Sequence, residues 1–163
     1  MRNTAERRNL RGMRALSPFK DEPVTMDITI LIADRNRNVR NLLQREMTSA
    51  GYRVRLAENA REVIRWTFHR DPLDLIILDP DLPDSDDSLI LDMVLDRIPA
   101  VPVIVHTHLS EFKHDSKLMN NVVFVEKRGI SVERLKQVIF EVLIEDHPRS
   151  LGKKHRDRHW MDS

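Results

Sequence analysis

The sequence predicts an α/β fold: a doubly wound sheet of five parallel strands with helices on both faces. Short apolar runs alternate with segments whose apolar residues recur at helical spacing, which is the pattern of repeated strand–helix units. The central runs are almost continuously apolar, as strands covered on both faces should be. Four runs also end on polar or charged residues, which places a polar site at the carboxyl edge of the sheet.

Four of the five strands are predicted from runs rich in valine, isoleucine and leucine, and the second from the alternation of apolar and charged residues. They cover residues 28–33, 52–56, 73–78, 101–106 and 122–126. Proline marks two boundaries. Pro80 and Pro83 stop the third strand, because proline has no N–H for a ladder, and Pro99 and Pro102 bracket the entry to the fourth.

Capping residues place the first two helices. Asn36 can cap the first helix and Gly51 can end it, because asparagine accepts from free first-turn amides and glycine adopts a left-handed conformation readily. Asn59 can cap the second helix, and Asp71-Pro72 breaks it.

The later part of the domain carries two further helices. Residues 86–97 form the third, and the last begins near Ser131 and ends before Pro148. Residues 108–119 are polar and poorly periodic, so the sequence predicts at most a short helix there.

Charge divides the chain into an acidic domain and two basic ends. Residues 1–25 carry six Lys or Arg and three Asp or Glu, residues 26–146 carry sixteen and twenty-one, and residues 147–163 carry five and two. Neither end has an apolar face, so both are predicted to be disordered, because burial cannot offset the cost of ordering them. The charge pattern does not favour nucleic acid as a partner of the domain, although a contact of the basic ends with an acidic partner or nucleic acid remains open.

Several classes of protein are disfavoured by composition. The chain has no cysteine, which excludes disulfides and thiolate metal sites. No apolar run approaches the roughly 18–20 residues of a membrane span, and the start has no apolar signal-peptide core. We therefore expect a cytoplasmic protein with no membrane contact. The spacing of His106, His108 and His114 does not suggest a metal site.

The candidate site consists of polar residues that follow or end four predicted strands. Asp34 follows the first strand, Asp79 the third, Thr107 the fourth and Lys127 the fifth. Parallel strands present their carboxyl ends at one edge, so these side chains are expected to converge. Four strand ends that carry two aspartates, a threonine and a lysine therefore predict an organised polar site.

These residues, in this order, resemble the receiver domain of two-component response regulators, over roughly residues 26–146. The resemblance implies a flavodoxin-like sheet with strand order 2-1-3-4-5. It implies that Asp79 is phosphorylated by a histidine kinase or phosphotransfer protein, with Thr107 and Lys127 contacting phosphoryl oxygens. Phe124, three residues before Lys127, matches the aromatic switch residue that acts together with Thr107.

The resemblance also implies a Mg²⁺ site built from Asp34, Asp79 and the main-chain carbonyl of Asp81. The chain departs from the family here, because Arg35 stands where receivers have the acid that binds the metal directly. The arginine is expected to weaken or abolish Mg²⁺ binding. Two orientations remain open: Arg35 points outward, or it pairs with Asp79 in place of the metal. The acids of segment 79–87 form either a solvated loop or a replacement ligand set.

We therefore expect a stand-alone receiver in two-component or phosphorelay signalling, a monomer or weak dimer, with no turnover beyond phosphorylation and dephosphorylation of Asp79. Because of Arg35, labelling of Asp79 should be poor or absent. Its downstream protein partner should bind the face formed by segment 108–119, the fifth strand and the last helix. The alternative is a degenerate receiver that acts as a phosphorylation-independent interaction module. A small hydrolase or phosphatase is disfavoured because the sequence has no Gly-rich phosphate loop or Ser/Cys nucleophile motif.

Overall fold

The computed structural model describes residues 27–85, 87–108, 122–129 and 131–146. The predicted disordered ends and residues 109–119 of the polar segment lie outside these ranges. The strands are β1 (Thr29–Ala33), β2 (Arg53–Ala57), β3 (Leu75–Leu78), β4 (Val103–Thr107) and β5 (Val122–Glu126). The helices of the described part are α1 (Arg37–Ser49), α2 (Ala60–Thr67), α3 (Asp87–Leu95) and α4 (Ser131–Asp146).

All five strands pair in parallel, in the order β2–β1–β3–β4–β5. The predicted fold class and strand order are therefore confirmed. The order places β1 and β3 at the centre, and their register pairs Ala33 with Leu78, the last residue of each strand. The residues that follow these two strands are consequently neighbours.

Alternation along the strands divides the core between the two faces of the sheet. Leu31 and Leu78 belong to a buried cluster that also contains residues of α2 and α3. Ile30 and Ile77 belong to a second cluster, shared with residues of α1 and α4. Helices therefore cover both faces, as the nearly continuous apolar strands predicted. In this part of the chain no helix has the length and apolar character needed to cross a bilayer.

The predicted capping residues of the first two helices, and the glycine that ends the first, are confirmed. The Asn36 side chain accepts from the amides of Asn38 and Val39, and Asn59 accepts from the amide of Glu62 at 2.9 Å. Gly51 has a φ of 93°, the left-handed conformation that lets the chain turn from α1 into β2. These caps fix where each helix begins relative to the sheet edge, and so fix the loops that carry the site.

Candidate functional site

The structure brings the four predicted strand-end residues to one edge of the sheet. Asp34 and Asp79 follow the adjacent strands β1 and β3, and the amide of Asp79 donates to the carbonyl of Ala33 at 2.8 Å. Thr107 ends β4, and the amide of Lys127 donates to its carbonyl at 2.9 Å. Asp34, Asp79 and Thr107 are all buried. Sheet register alone is enough to assemble this row.

The ammonium group of Lys127 connects the two buried carboxylates. Its Nζ contacts Oδ2 of Asp79 and lies 2.7 Å from Oδ2 of Asp34. Burial of the amine alone would lower the pKa of Lys127, but its hydrogen bonds to Asp34 and Asp79 outweigh that effect, and the pKa is raised above the ordinary value. Lys127 is therefore a fixed cation at this edge.

The second oxygen of each carboxylate is held by its own loop. Oδ1 of Asp34 accepts from the amide of Asn36 at 2.7 Å, and Oδ1 of Asp79 accepts from the amide of Asp81 at 3.2 Å. Each carboxylate thus bridges Lys127 and a turn at the end of its strand. The arrangement fixes the direction in which the Asp79 oxygens face.

Of the two orientations left open for Arg35, the structure shows the outward one, and the alternative of a pair with Asp79 is wrong. Its guanidinium lies 3.0 Å from the carboxylate of Asp81 instead, and its side chain is 61% exposed. The physical reason is local: the preceding side chain, Asp34, points into the site, and consecutive residues of extended chain point in opposite directions. Lys127, furthermore, already occupies Oδ2 of Asp79. Arg35 therefore joins the β1–α1 loop to the β3–α3 loop at the rim.

The oxygen donors here do not fit a tightly held Mg²⁺ ion. Magnesium requires near-octahedral oxygen ligands. The carboxylates of Asp34 and Asp79 and the main-chain carbonyl of Asp81 are the available donors, and Lys127 lies between the two carboxylates. Within the described ranges, no three acidic or histidine side chains are grouped so that they could hold a metal. The ammonium group of Lys127 therefore stands where a cation would otherwise bridge the two carboxylates.

The acidic loop after β3 has a structural role at one of its residues. Asp84 accepts from the amides of Ala60 at 2.5 Å and Arg61 at 3.2 Å, at the start of α2. These contacts, above all the one from Ala60, lower the pKa of Asp84. Asp84 therefore caps a neighbouring helix rather than extending a ligand set. Asp86 and the side chain of Asp87 lie outside the described part of the structure.

The two predicted switch residues lie on the same face of the sheet. Phe124 pairs in register with Val105, two residues before Thr107, and alternation directs all three to one side. Phe124 is half-buried and packs against the cluster shared with α2 and α3. The aromatic ring and the hydroxyl residue are thus arranged along neighbouring strands.

Two residues near the site had no structural role predicted from the sequence. Arg40 of α1 is buried, and its guanidinium contacts the main chain of the β1–α1 loop. The signal was present, since Arg40 lies on the buried stripe with Leu43 and Met47. His106 of β4 is also buried, and neither ring nitrogen has a hydrogen-bond partner in the described structure. Burial, assisted by the charge of Lys127, lowers the pKa of His106 to about 4.

Comparison with known proteins places this geometry in a family. A family model described as the response regulator receiver domain matches residues 30–139. The DNA-binding transcriptional regulator NtrC of Bradyrhizobium sp. (strain RP501 Parasponia) is 34% identical over 84 residues, covering 52% of this chain and 17% of that protein. NtrC of Rhizobium meliloti (strain 1021) is 33% identical with the same coverage. The chain thus spans only 17% of the length of these relatives.

Solved structures show the same fold. A chain in the crystal structure of histidine kinase ThkA in complex with response regulator TrrA is 26% identical, with a TM-score of 0.62, covering 71% of this chain and 98% of that one. TrrA of Thermotoga maritima in complex with Mg²⁺-BeF is 25% identical, with a TM-score of 0.60 and coverage of 71% and 99%. The chemotaxis response regulator CheY4 of Vibrio cholerae is 21% identical, with a TM-score of 0.63 and coverage of 72% and 99%.

The family model covers the residues that build the parallel sheet and its carboxyl edge. That edge carries the two aspartates, the threonine and the lysine that the resemblance had picked out. The chain therefore belongs to the response regulator receiver family of two-component signalling.

Proposed function

We propose that Asp79 accepts a phosphoryl group from a phosphorylated histidine of a histidine kinase or phosphotransfer protein. A carboxylate oxygen of Asp79 forms a bond to phosphorus, the bond from phosphorus to the donor nitrogen breaks, and the histidine keeps that electron pair and takes up a proton. The observation that carries this proposal is the contact of the Lys127 ammonium with both buried carboxylates. Proteins of this family act downstream of histidine kinases, as the ThkA–TrrA complex illustrates.

Lys127 and Thr107 are proposed to stabilise the transferring group. Charge on the three equatorial oxygens needs fixed donors, and a prepositioned ammonium in a buried site supplies one. Lys127 can keep its contact with Asp34 while pairing with a phosphoryl oxygen. The Thr107 hydroxyl, at the end of the adjacent strand, is proposed to donate to a second oxygen. Coupling to Phe124 on the same sheet face would transmit the change.

Receivers bind Mg²⁺ at their phosphorylation site, and the TrrA structure contains Mg²⁺-BeF. In this chain we propose that the ion contributes little. Asp34, Asp79 and the Asp81 carbonyl would be its ligands, but Arg35 supplies a positive charge where a third carboxylate is missing. The ammonium group of Lys127, 2.7 Å from Oδ2 of Asp34, also lies between the two carboxylates, and its positive charge opposes the binding of a second cation there.

The downstream partner is proposed to bind β5 and α4. Both elements expose apolar side chains, with Val123 on β5 and Phe140 and Ile144 on α4. Phe124, the residue after Val123 on β5, faces the other side of the sheet together with Thr107 and is proposed to link this edge strand to the site. A cytoplasmic location, where a phosphodonor protein would be available, belongs to the same proposal.

Acetyl phosphate labelling with and without Mg²⁺ tests the proposal. We expect slow labelling of the wild-type protein that is abolished by Asp79→Asn and gains little from Mg²⁺. Arg35→Asp restores a ligand, so Mg²⁺-dependent labelling should rise by about tenfold or more, which corresponds to about 1.4 kcal/mol per decade. Arg35→Ala should be intermediate because it removes repulsion without adding a ligand.

Arg134→Asp is the matched control, since it makes the same charge change on the exposed surface of α4. It should label like the wild-type protein. Strong Mg²⁺-dependent labelling of the wild-type protein would contradict the role given to Arg35. Failure of both the wild type and Arg35→Asp to label at Asp79 would contradict the phosphoacceptor proposal and favour an interaction module.

A further inference from the structure

Arg40 is an unusual residue for the interior face of a helix. It is 8% exposed and lies on the stripe of α1 that also buries Leu43 and Met47. A buried guanidinium is costly unless its donors are satisfied. Arg40 meets this condition with three hydrogen bonds, and all three partners belong to loops at the carboxyl edge of the sheet.

The contacts of Arg40 hold the main chain on which the site is built. Its Nη1 donates to the carbonyl of Asp34 at 2.7 Å and to the carbonyl of Arg35 at 3.0 Å. Its Nη2 donates to Oε2 of Glu58, in the β2–α2 loop, at 3.1 Å. One planar group therefore fixes two consecutive carbonyls of one loop and joins that loop to the next.

The carbonyls concerned belong to the two residues whose side chains decide the electrostatics of the site. The side chain of Asp34 points inward and contacts Lys127. The side chain of Arg35 points in the opposite direction, toward the rim, where it pairs with Asp81. A rotation of the peptide between Asp34 and Arg35 would move both groups together. The amide of Asp34 is held less closely, by the carbonyl of Ala57 at 3.2 Å.

We propose that Arg40 is a positioning residue for the phosphoryl-accepting site. It acts through the main chain of Asp34 and Arg35 and holds the Asp34 carboxylate against Lys127 and the Arg35 guanidinium against Asp81. The proposal rests on the function proposed for Asp79, since positioning matters only if the edge reacts. Lysine should replace it only in part, because an ammonium lacks the planar fork that reaches two carbonyls and a carboxylate together.

Arg97 provides a matched control elsewhere in the fold. It follows α3, and it also binds two main-chain carbonyls, with Nε donating to Thr67 at 2.7 Å and Nη1 donating to Pro99 at 2.5 Å. Because α3 runs away from the carboxyl edge, Arg97 lies at the opposite end of the sheet. Arg97→Met removes a comparable set of contacts without touching the site.

Two readouts on the folded protein separate positioning from general stability. The first is NMR of the Asn36 amide, which donates to Asp34, and of the Lys127 ammonium, which contacts Asp34 and Asp79. The second is the rate of acetyl phosphate labelling. Arg40→Met should shift both NMR signals and slow labelling by about tenfold or more, because misplacement of about 1 Å can cost about a hundredfold.

Arg40→Lys should give intermediate shifts and rates, and it also serves as the test if Arg40→Met does not fold. Arg97→Met should leave both signals and the labelling rate as in the wild type. Unchanged Asn36 and Lys127 signals in folded Arg40 variants would overturn the proposal, as would equal shifts in Arg97→Met. If neither the wild-type protein nor Arg35→Asp is labelled at Asp79, the proposed function fails, and the NMR comparison still decides whether Arg40 positions the two residues.

Discussion

The buried imidazole of His106 should make the stability of this domain depend on pH. The side chain is 3% exposed, and neither ring nitrogen has a hydrogen-bond partner in the described structure. Its pKa falls from 6.5 to about 4 in the folded protein. His106 therefore takes up a proton near pH 6.5 in the unfolded chain, but only near pH 4 in the folded protein. The stability that goes with neutral His106 is present above pH 6.5 and is lost as the pH falls toward 4.

The size of the effect follows from the difference in pKa. At about 1.4 kcal/mol per pH unit, the full loss is about 3 kcal/mol, of which about 2 kcal/mol should be gone by pH 5. This is a substantial part of the roughly 5–15 kcal/mol that stabilises a typical domain. A hydrophobic residue of smaller volume at position 106 removes the titrating group and also the two unsatisfied nitrogens.

Urea unfolding at pH 7.5 and pH 5 measures the prediction. The free energy of unfolding of the wild-type protein should fall by about 2 kcal/mol more than that of His106→Val between these pH values. His69→Gln, which removes an exposed histidine beside Asp71, should keep the wild-type sensitivity. Equal pH dependence in the wild type and His106→Val would refute the reasoning, because the loss would then come from other groups.

Two further predictions concern charges at the carboxyl edge. Lys127→Met should lower the free energy of unfolding by about 3 kcal/mol, because it leaves the buried carboxylates of Asp34 and Asp79 without their cation; a change below about 1 kcal/mol in urea unfolding would show that water compensates for the loss. Asp84→Ala should speed amide hydrogen exchange at Ala60, at the start of α2, whereas Asp84→Asn should retain most protection because it can still accept from that amide. Unchanged exchange in Asp84→Ala would mean that the cap is dispensable.

The parts of the fold that repeat a pattern could be predicted from the sequence. Apolar runs bounded by turn residues identified the strands, and apolar residues at a spacing of 3.6 identified the helices. The positions of Asp79 and Lys127 after two of these strands placed both residues at one edge of the sheet. Parallel register then made their contact almost unavoidable. The strand order came from the family resemblance, because periodicity carries no information on which strands are neighbours.

Side-chain directions in loops could not be predicted in the same way. The direction in which the Arg35 side chain points depends on the orientation of the peptide between Asp34 and Arg35. Arg40 holds that peptide through hydrogen bonds to both carbonyls, and the apolar periodicity of the sequence does not predict such contacts. The burial of Arg40 was not predicted, because a charged residue within the apolar stripe of a helix is expected to interrupt that stripe and not to belong to it.

The order of the strands in the sheet also affects how the protein folds during its synthesis. Asp34 and Asp79 meet only when β1 pairs with β3, which joins Ile30 to Leu75 across the whole β2 unit. Closing a long loop costs conformational entropy before the contacts between its ends can form. Folds with many contacts between residues far apart in the sequence are therefore slow to fold. A chain growing from its amino end presents Asp79 while Lys127 has not yet been synthesised. A fragment that ends before β5 lacks Lys127 and therefore the complete site. The ability to accept a phosphoryl group should appear only after the last strand has been synthesised.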